Sequence, residues 1–261
     1  MISPSPKVML PASVRKFSSS AFNMSAEQFQ KLEKYTACDI SDALLKLNVP
    51  GAGFLADIAP LKSKTPARVA APASTVLFAP KASPSFPQPV GPKPDPDPPS
   101  DGDGSKISPG TPYADLINQN TIAVLSQPAG QVCAVMGGIN AVRMEQLGAK
   151  GVVVSGRVRD VDALKGLKMQ VWSRGTSSVG AGAQASAFAV GYPLEIGEVV
   201  VNSGDVIMLD SDENSAVAIP KDKFDEVIKL LPKLTEADDK CMADVLAGGS
   251  VKEAFAKHRG K

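Results

Sequence analysis

Apolar positions near the start of the chain recur at helical spacing. Ser25 and Gln28 form a capping-box pattern, and Phe29, Leu32 and Tyr35 follow on one face. This arrangement predicts a helix that begins at Ser25.

A second, shorter apolar face follows and predicts a helix that opens at Asp39. Asn48, Pro50 and Gly51 end it, because such residues disfavour continuation of a helix. Residues 66–79 are then typical of a strand. The apolar side of this second helix consists of Ile40, Ala43, Leu44 and Leu47.

The composition changes abruptly beyond this strand. Between Pro84 and Pro99, eight of the sixteen residues are proline, and a DGDG run follows at 101–104. A segment so poor in backbone donors and apolar mass does not pack as a strand or a helix. We therefore predict an exposed insertion loop over residues 81–110. A proline-rich docking segment is the alternative.

Strand and helix patterns alternate through the rest of the chain, which is typical of a mixed α/β fold. We expect a single domain over residues 25–258. GVVVS at 151–155 is a continuous apolar run, as in a strand buried on both faces. Helices are predicted from Thr111–Pro112 to Asn118, from Gly137–Gly138 to Gly148, and over 160–167, 221–231, 235–247 and 250–258. Further strands are predicted at 121–126, 131–136, 169–173, 198–201, 206–210 and 216–219.

Composition excludes several classes of protein and of site. The chain has 261 residues and a net charge of +1, so no global field favours nucleic acid or an anionic membrane. Three distant cysteines argue against a disulfide scaffold or a zinc site. The single histidine, His258, cannot supply both a base and a ligand set. Any metal must therefore have oxygen ligands, which indicates Mg²⁺ or Mn²⁺.

Residues 1–24 resemble a targeting segment more than a folded one. Lys7, Arg15 and Lys16 are basic, serines are frequent, and no acid precedes Glu27. Such a composition indicates a mitochondrial presequence. A disordered tail on a cytoplasmic protein is the alternative.

Two segments carry candidate chemistry directly after predicted strands. Gly137–Gly138 leads into a helix, whose free N–H groups attract an anion. The adjacent Arg159 and Asp160 follow the VVVS strand, where α/β proteins place ligands. An arginine can hold a carboxylate or an enolate oxygen, and an aspartate can bind a divalent cation. A tight turn and a surface ion pair are the alternatives.

The segment 137–180 resembles the RraA-like family, which includes the 4-hydroxy-4-methyl-2-oxoglutarate aldolases. The resemblance lies in the glycine turn, the following helix, the GRVRD sequence at 156–160 and a strand that ends in Arg174–Gly175. CDISDALLKL at 38–47 and the stretch at 201–220 agree more loosely. Arg174–Gly175–Thr176–Ser177 is predicted to form a turn, with an anion contact as the alternative.

The resemblance implies a compact αββα sandwich related to swivelling phosphohistidine domains, assembled as a homotrimer or hexamer. It implies that Asp160 binds Mg²⁺ or Mn²⁺ and that Arg159 contacts the carbonyl or enolate oxygen of a small 2-oxo acid. The backbone of Gly137, Gly138, Ile139 and Asn140 would hold the substrate carboxylate. The implied activity is metal-dependent cleavage of a C–C bond through a pyruvate enolate.

Two positions depart from the family pattern. Gly138 stands where many family aldolases carry an acid, and Ser155 stands where an aspartate is usual. Without the acid, cleavage of a hydroxy acid should suffer more than decarboxylation of oxaloacetate. A regulatory binding protein without catalysis is therefore the alternative function. A nucleotide binder is a poorer one, because neither GxGxxG nor a Walker lysine is present.

Overall fold

The computed structural model describes residues 24–61, 66–85 and 105–260. The helices are α1 (Ala26–Leu32), α2 (Ala37–Lys46), α3 (Gly138–Gln146), α4 (Val161–Lys165), α5 (Phe224–Leu246) and α6 (Val251–His258). The strands are β1 (Ala59–Leu61), β2 (Arg68–Pro80), β3 (Ser105–Lys106), β4 (Ile122–Ser126), β5 (Ala134–Met136), β6 (Gly151–Val158), β7 (Gln170–Thr176), β8 (Ala185–Val190), β9 (Leu194–Ile196), β10 (Val199–Val201), β11 (Val206–Asp210) and β12 (Ser215–Ile219).

The long strand β2 joins the two halves of a curled sheet. Its first part, 68–72, pairs antiparallel with β11, which pairs with β12. Its middle, 73–77, pairs parallel with β4, and β6 and β7 continue that half in parallel. β1 closes the edge beside β7, β5 lies parallel to β6, and β8 pairs with the last part of β2. β9 and β10 form a separate two-stranded ribbon.

Three apolar clusters separate the layers in the order expected of an αββα sandwich. The first lies between the parallel strands and α3 with α4, and includes Val154 and Met144. The second lies between the two halves of the sheet and includes Trp172 and Leu209. The third lies between β11–β12 and helices α1, α2 and α5. The predicted mixed α/β fold is therefore confirmed.

Helices α1 and α2 both begin with a complete capping box. The Ser25 and Gln28 pair is present as predicted. The second helix begins at Ala37, two residues earlier than predicted, because Thr36 and Asp39 cap it reciprocally. The resemblance at 38–47 therefore includes a residue, Asp39, with a structural role at a helix end.

Asp210 is a buried hub between the sheet and α2. Its side chain is fully buried and lies 2.9 Å from the Nε of Arg68. It also accepts hydrogen bonds from the backbone N–H groups of Ala37, Asp212 and Glu213 at 3.0, 3.2 and 3.3 Å. One carboxylate thus joins β2, the β11–β12 turn and the start of α2.

Several predicted boundaries in the middle of the chain were wrong. Pro112, not Thr111, is the N-cap of a short 3-10 helix at Tyr113–Leu116, with no side-chain cap. The strand predicted at 131–136 is limited to β5, and the one at 151–155 continues to Val158. Arg174–Gly175–Thr176 was predicted as a turn but continues strand β7. β1, β8 and β9 were not predicted.

The predicted break between two C-terminal helices was also wrong, because α5 continues through Pro232. An interior proline costs about 3 kcal/mol in a helix. Burial of Phe224, Val227 and Leu231 on the same helix offsets that cost. The Thr235 hydroxyl donates to the Leu231 carbonyl at 3.1 Å, next to the proline. Apolar burial therefore overrides the local sequence signal.

Parts of two predictions lie outside the described residues. The targeting segment 1–24 overlaps them only at Met24, and most of the proline-rich stretch, 86–104, is also outside. Within the predicted loop 81–110, residues 105–106 form β3 against β8, so the loop prediction was wrong there. The three cysteines are free thiols. Among the helices that the structure describes, none is long and apolar enough to cross a bilayer.

Asp205 predicts a specific dependence of stability on pH. Burial raises the pKa of its carboxyl, although hydrogen bonds from Asn202 and Lys221 oppose the shift. The folded state therefore binds this proton more tightly than the unfolded chain does. The resulting stabilisation is complete below the ordinary pKa of an aspartate and is lost as the pH rises through the raised value.

The free energy of unfolding of the wild type minus that of Asp205→Asn should therefore increase as the pH is lowered from about 7 to about 4. The variant removes the titration of this group and leaves the other carboxyls unchanged. Urea unfolding of both proteins at the two pH values measures the difference. A difference that shrinks on acidification would contradict the assignment.

Candidate active site

The two candidate segments meet at one edge of the sheet. β5 and β6 are parallel neighbours, with Met136 opposite Val158. The backbone N–H of Arg159 donates to the carbonyl of Met136 at 3.0 Å. Gly137 directly follows β5, and Arg159 directly follows β6. Because the carboxyl ends of parallel strands lie at the same edge of a sheet, these two residues lie next to each other. The structure therefore brings together the residues that the sequence placed in one site.

Gly137 allows a close approach that no larger residue would permit. A Cβ at this position would lie 2.7 Å from Oδ2 of Asp160 and 3.2 Å from Nε of Arg159. Its backbone is extended, so left-handed geometry is not the reason for glycine here. Packing against the Arg159–Asp160 pair is the reason.

Asp160 is held in a left-handed conformation, with φ 61° and ψ 45°. Its Oδ2 accepts a hydrogen bond from the N–H of Gly138 at 3.0 Å. Aspartate is one of the few residues that adopt this conformation readily, and such outliers cluster at functional sites. The conformation and the hydrogen bond together fix the carboxylate beside the glycine turn.

Arg159 and Asp160 form a loose pair that solvent reaches. The Nε of Arg159 lies 3.8 Å from Oδ2 of Asp160, and the two side chains are 48% and 49% exposed. An exposed pair at this distance contributes little to stability. Both charges therefore remain available to a ligand.

The start of α3 supplies further backbone donors. Gly137 is its N-cap and has no side-chain cap. The N–H of Gly138 is already accepted by Asp160, whereas those of Ile139 and Asn140 have no carbonyl partner within the helix. An anion at this helix end would be favoured by both N–H groups and by the helix dipole.

The side chains of Ile139 and Asn140 lie in different surroundings. Ile139 is 87% exposed. The Asn140 side chain hydrogen-bonds to the buried hydroxyl of Tyr113, whose pKa burial raises well above its usual value. That hydroxyl lies 3.1 Å from the carbonyl of Val135 and anchors α3 to β5. The side chain of Asn140 therefore has a structural partner, and its N–H remains the group suited to binding an anion.

The residues present fit a hydrated Mg²⁺ or Mn²⁺ ion bound through a single carboxylate. Within the described ranges, no group of three or more His, Cys, Asp or Glu side chains could hold a metal. Mg²⁺ usually keeps several water ligands and needs only one or two carboxylates. Asp160 offers a second oxygen beyond the one that accepts from Gly138, and it is half-exposed. It is therefore the residue that would hold the ion.

Sequence reasoning missed two residues beside the site. A Cβ on Gly180 would lie 2.9 Å from Nη1 of Arg159, so Gly180 leaves room for the guanidinium. Gln127 follows β4, the next parallel strand, and bonds to the segment that carries Arg159. Its place after the end of a parallel strand was the one signal in the sequence. Arg174 is exposed on β7, and in the part of the chain that the structure describes it forms no ion pair with Asp160.

Comparisons with known proteins indicate the family of the chain. The family described as RraA-like, Aldolase/RraA, matches residues 37–213. A protein of Halalkalibacterium halodurans named as a 4-hydroxy-4-methyl-2-oxoglutarate aldolase is 33% identical over 93 residues, which cover 36% of this chain and 42% of that protein. Protein DlpA of Legionella pneumophila is 22% identical over 225 residues, which cover 86% of this chain and 32% of DlpA. The chain thus spans less than half the length of these two relatives.

A solved structure shows the same fold. Streptomyces coelicolor RraAS2, described as an unusual member of the RNase ES inhibitor RraA protein family, superposes with a TM-score of 0.66 at 19% identity. The match covers 82% of this chain and 96% of that chain. Since the family match alone spans more than half of the sequence, the chain belongs to the RraA-like family.

Proposed function

We propose that this chain is a divalent-metal-dependent lyase that cleaves a C–C bond of a small 2-oxo acid through a pyruvate enolate. The observation that carries the proposal is the placement of Arg159 and Asp160 against the Gly137–Gly138 turn, at the start of α3. One site thus combines a cation-binding carboxylate, a guanidinium and free N–H groups. This combination suits a small substrate that carries a carboxylate and develops an oxyanion.

The residues of the chain have distinct parts in this reaction. The N–H groups of Ile139 and Asn140 bind and orient the substrate carboxylate. Arg159 places positive charge beside the 2-oxo oxygen, where negative charge develops. Asp160 holds the cation, which when bound supplies Lewis-acid polarisation of the 2-oxo group.

Oxaloacetate fits this set of groups without an additional base. The bond between C3 and the distal carboxylate breaks, CO₂ leaves, and the electron pair remains on the enolate. Protonation at C3 then gives pyruvate. Cleavage of 4-hydroxy-4-methyl-2-oxoglutarate needs a further group to accept the hydroxyl proton, and Gly138 provides none.

The surroundings of Gly138 support the preference for oxaloacetate. A Cβ at this position would lie 3.0 Å from the Cβ of Ala163 and 3.4 Å from that of Asp160. An acidic side chain there would require α4 to shift by a few tenths of an ångström. The turn is thus packed closely around glycine, and the absence of an acid at this position is what favours decarboxylation.

The test is metal-dependent release of pyruvate by the purified protein. Oxaloacetate and 4-hydroxy-4-methyl-2-oxoglutarate are compared with Mg²⁺ or Mn²⁺ and again with a chelator, against the metal-catalysed background. We expect turnover that the chelator abolishes and that is faster on oxaloacetate. Faster aldol cleavage would reject the preference, and absence of turnover on both substrates would reject the lyase.

The Gly180→Ala variant tests the position of the Arg159 side chain without replacing either charged residue. Gly180 has ordinary extended dihedral angles, so alanine introduces no backbone strain. We expect kcat to fall by about tenfold, because the new methyl displaces the guanidinium, while the melting temperature stays unchanged. Gly182→Ala is the matched control, because a Cβ there meets nothing within 4 Å. Equal kcat values in the two variants would contradict this role of Gly180.

A regulatory binding protein is the second candidate, and the missing acid at Gly138 favours it. It predicts a folded protein with no pyruvate release under any metal condition.

Independently of catalysis, we propose a homotrimer or hexamer. Support comes from the exposed Ile139 and Val142, which lie three residues apart on α3 beside the site. Sedimentation of the purified protein measures the assembly. The mitochondrial location stays a prediction.

A further inference from the structure

Strand β6 changes neighbours immediately before it reaches the candidate site. It pairs with β4 as far as Ser155 and with β5 from Arg157 onward. Its register with β7 shifts between Val154 and Arg157. At such an irregularity, backbone groups lose their regular strand partners and need other ones.

The side chain of Gln127 supplies the missing partners. Its Oε1 accepts the N–H of Arg157 at 2.8 Å, and its Nε2 donates to the carbonyl of Cys133 at 2.7 Å. Cys133 immediately precedes β5. The backbone N–H of Gln127 also donates to the carbonyl of Ser155 at 3.1 Å. One residue at the end of β4 therefore bonds to β6 on both sides of the irregularity and to the start of β5.

Gly156 leaves the space that the Gln127 side chain occupies. A Cβ on Gly156 would collide with the side chain of Gln127. The glycine of the GRVRD sequence is thus explained by the glutamine that lies across it. Sequence position alone relates these two residues only weakly, since they are 29 positions apart.

The alignment of β5 and β6 decides the geometry of the site. Arg159 lies two residues after Arg157 and bonds to Met136 at the end of β5. Asp160 bonds to Gly138, two residues beyond the same strand. A slip of β5 relative to β6 would separate the charged pair from the glycine turn.

We propose that Gln127 is a positioning residue that fixes Arg159 and Asp160 against the glycine turn by locking β5 to β6. It acts through Arg157 and Cys133, and among the described residues its side chain has no hydrogen bond to the charged pair. The inference rests on the proposed function for its effect on catalysis, but its effect on the alignment of the strands can be measured without any substrate.

The test compares Gln127→Met with Gln131→Met. Methionine preserves length and removes every hydrogen bond of the Gln127 side chain, including the one from Nε2 to the Sγ of Cys133 at 3.5 Å. Gln131 is the matched control, because it lies on the same loop and its side chain donates to the carbonyl of Gln184 at 3.0 Å, with only a long contact of 4.0 Å to the Sγ of Cys133. Hydrogen exchange of individual backbone amides and steady-state kinetics on oxaloacetate are measured for both variants.

For Gln127→Met we expect the amides of Arg157 and Arg159 to exchange about tenfold faster, while those of β4 are unchanged. We expect kcat to fall by about 10–100-fold with KM within about twofold of wild type, since alignment and not binding is lost. Gln131→Met should match wild type in both measurements.

Three results would overturn the inference. The first is that the amides of Arg157 and Arg159 exchange at the wild-type rate in Gln127→Met. The second is that amide exchange in β4 accelerates equally. The third is that exchange accelerates only locally but kcat stays within about twofold of wild type. If the wild type shows no lyase activity, the proposed function fails instead. Exchange at the two arginine amides alone then decides whether Gln127 fixes the alignment.

Discussion

Replacing Asp160 with asparagine is expected to lower kcat/KM for oxaloacetate decarboxylation by about 10²–10³-fold. Asparagine also adopts the left-handed conformation that this position has, and its amide oxygen can still accept the N–H of Gly138. The change therefore removes the negative charge and little else. Mn²⁺ affinity, measured by titration calorimetry, should fall together with activity, because the carboxylate holds the cation.

Asp162→Asn provides the control for this prediction. Asp162 is exposed in the first turn of α4, only two residues away, and the same charge is removed. It should retain wild-type kcat/KM and Mn²⁺ affinity. If Asp160→Asn behaved in the same way, Asp160 would be only a surface charge. If Asp160→Asn lost activity but kept full Mn²⁺ affinity, the metal assignment would be wrong.

Asp210→Ala is expected to lower the free energy of unfolding by about 3–5 kcal/mol. The substitution leaves the N–H groups of Ala37, Asp212 and Glu213 without their acceptor and Arg68 without its partner. The donor of Ala37 is buried and carries the full cost of desolvation when its partner is lost, whereas those of Asp212 and Glu213 are partly buried. Chemical denaturation monitored by the fluorescence of Trp172 measures the change.

Asp212→Ala is the matched control for Asp210→Ala. It removes an exposed aspartate from the same turn and should change stability by no more than about 0.5 kcal/mol. A loss below about 1 kcal/mol in Asp210→Ala would show that water replaces the carboxylate at the three backbone donors.

The candidate site was largely predictable because its parts follow directly from local patterns. The Gly137–Gly138 turn and the Arg159–Asp160 pair each come after a strand with a readable apolar run. The rule that parallel strands present their carboxyl ends at one edge then places them together. The capping box at Ser25 was predictable for the same reason, since both partners lie within one helical turn.

What the sequence did not reveal depends on distant partners. Asp210 bonds to Ala37 across 173 positions, and Gln127 bonds to Arg157 across 30. A polar residue at the end of a strand gives no local sign of the backbone group that it will meet. The predicted helix break near Pro232 was wrong for the opposite reason, because the apolar burial of α5 overrides a strong local signal.

The shared strand β2 has a consequence for how the chain reaches its native state. Its first residue, Arg68, meets Asp210, 142 positions away, while its middle pairs with β4. Neither half of the sheet is complete until segments distant in sequence have paired with β2. Because such long-range pairing must precede the native contacts, we expect folding to be slow. For the same reason the two halves should melt together in one cooperative transition.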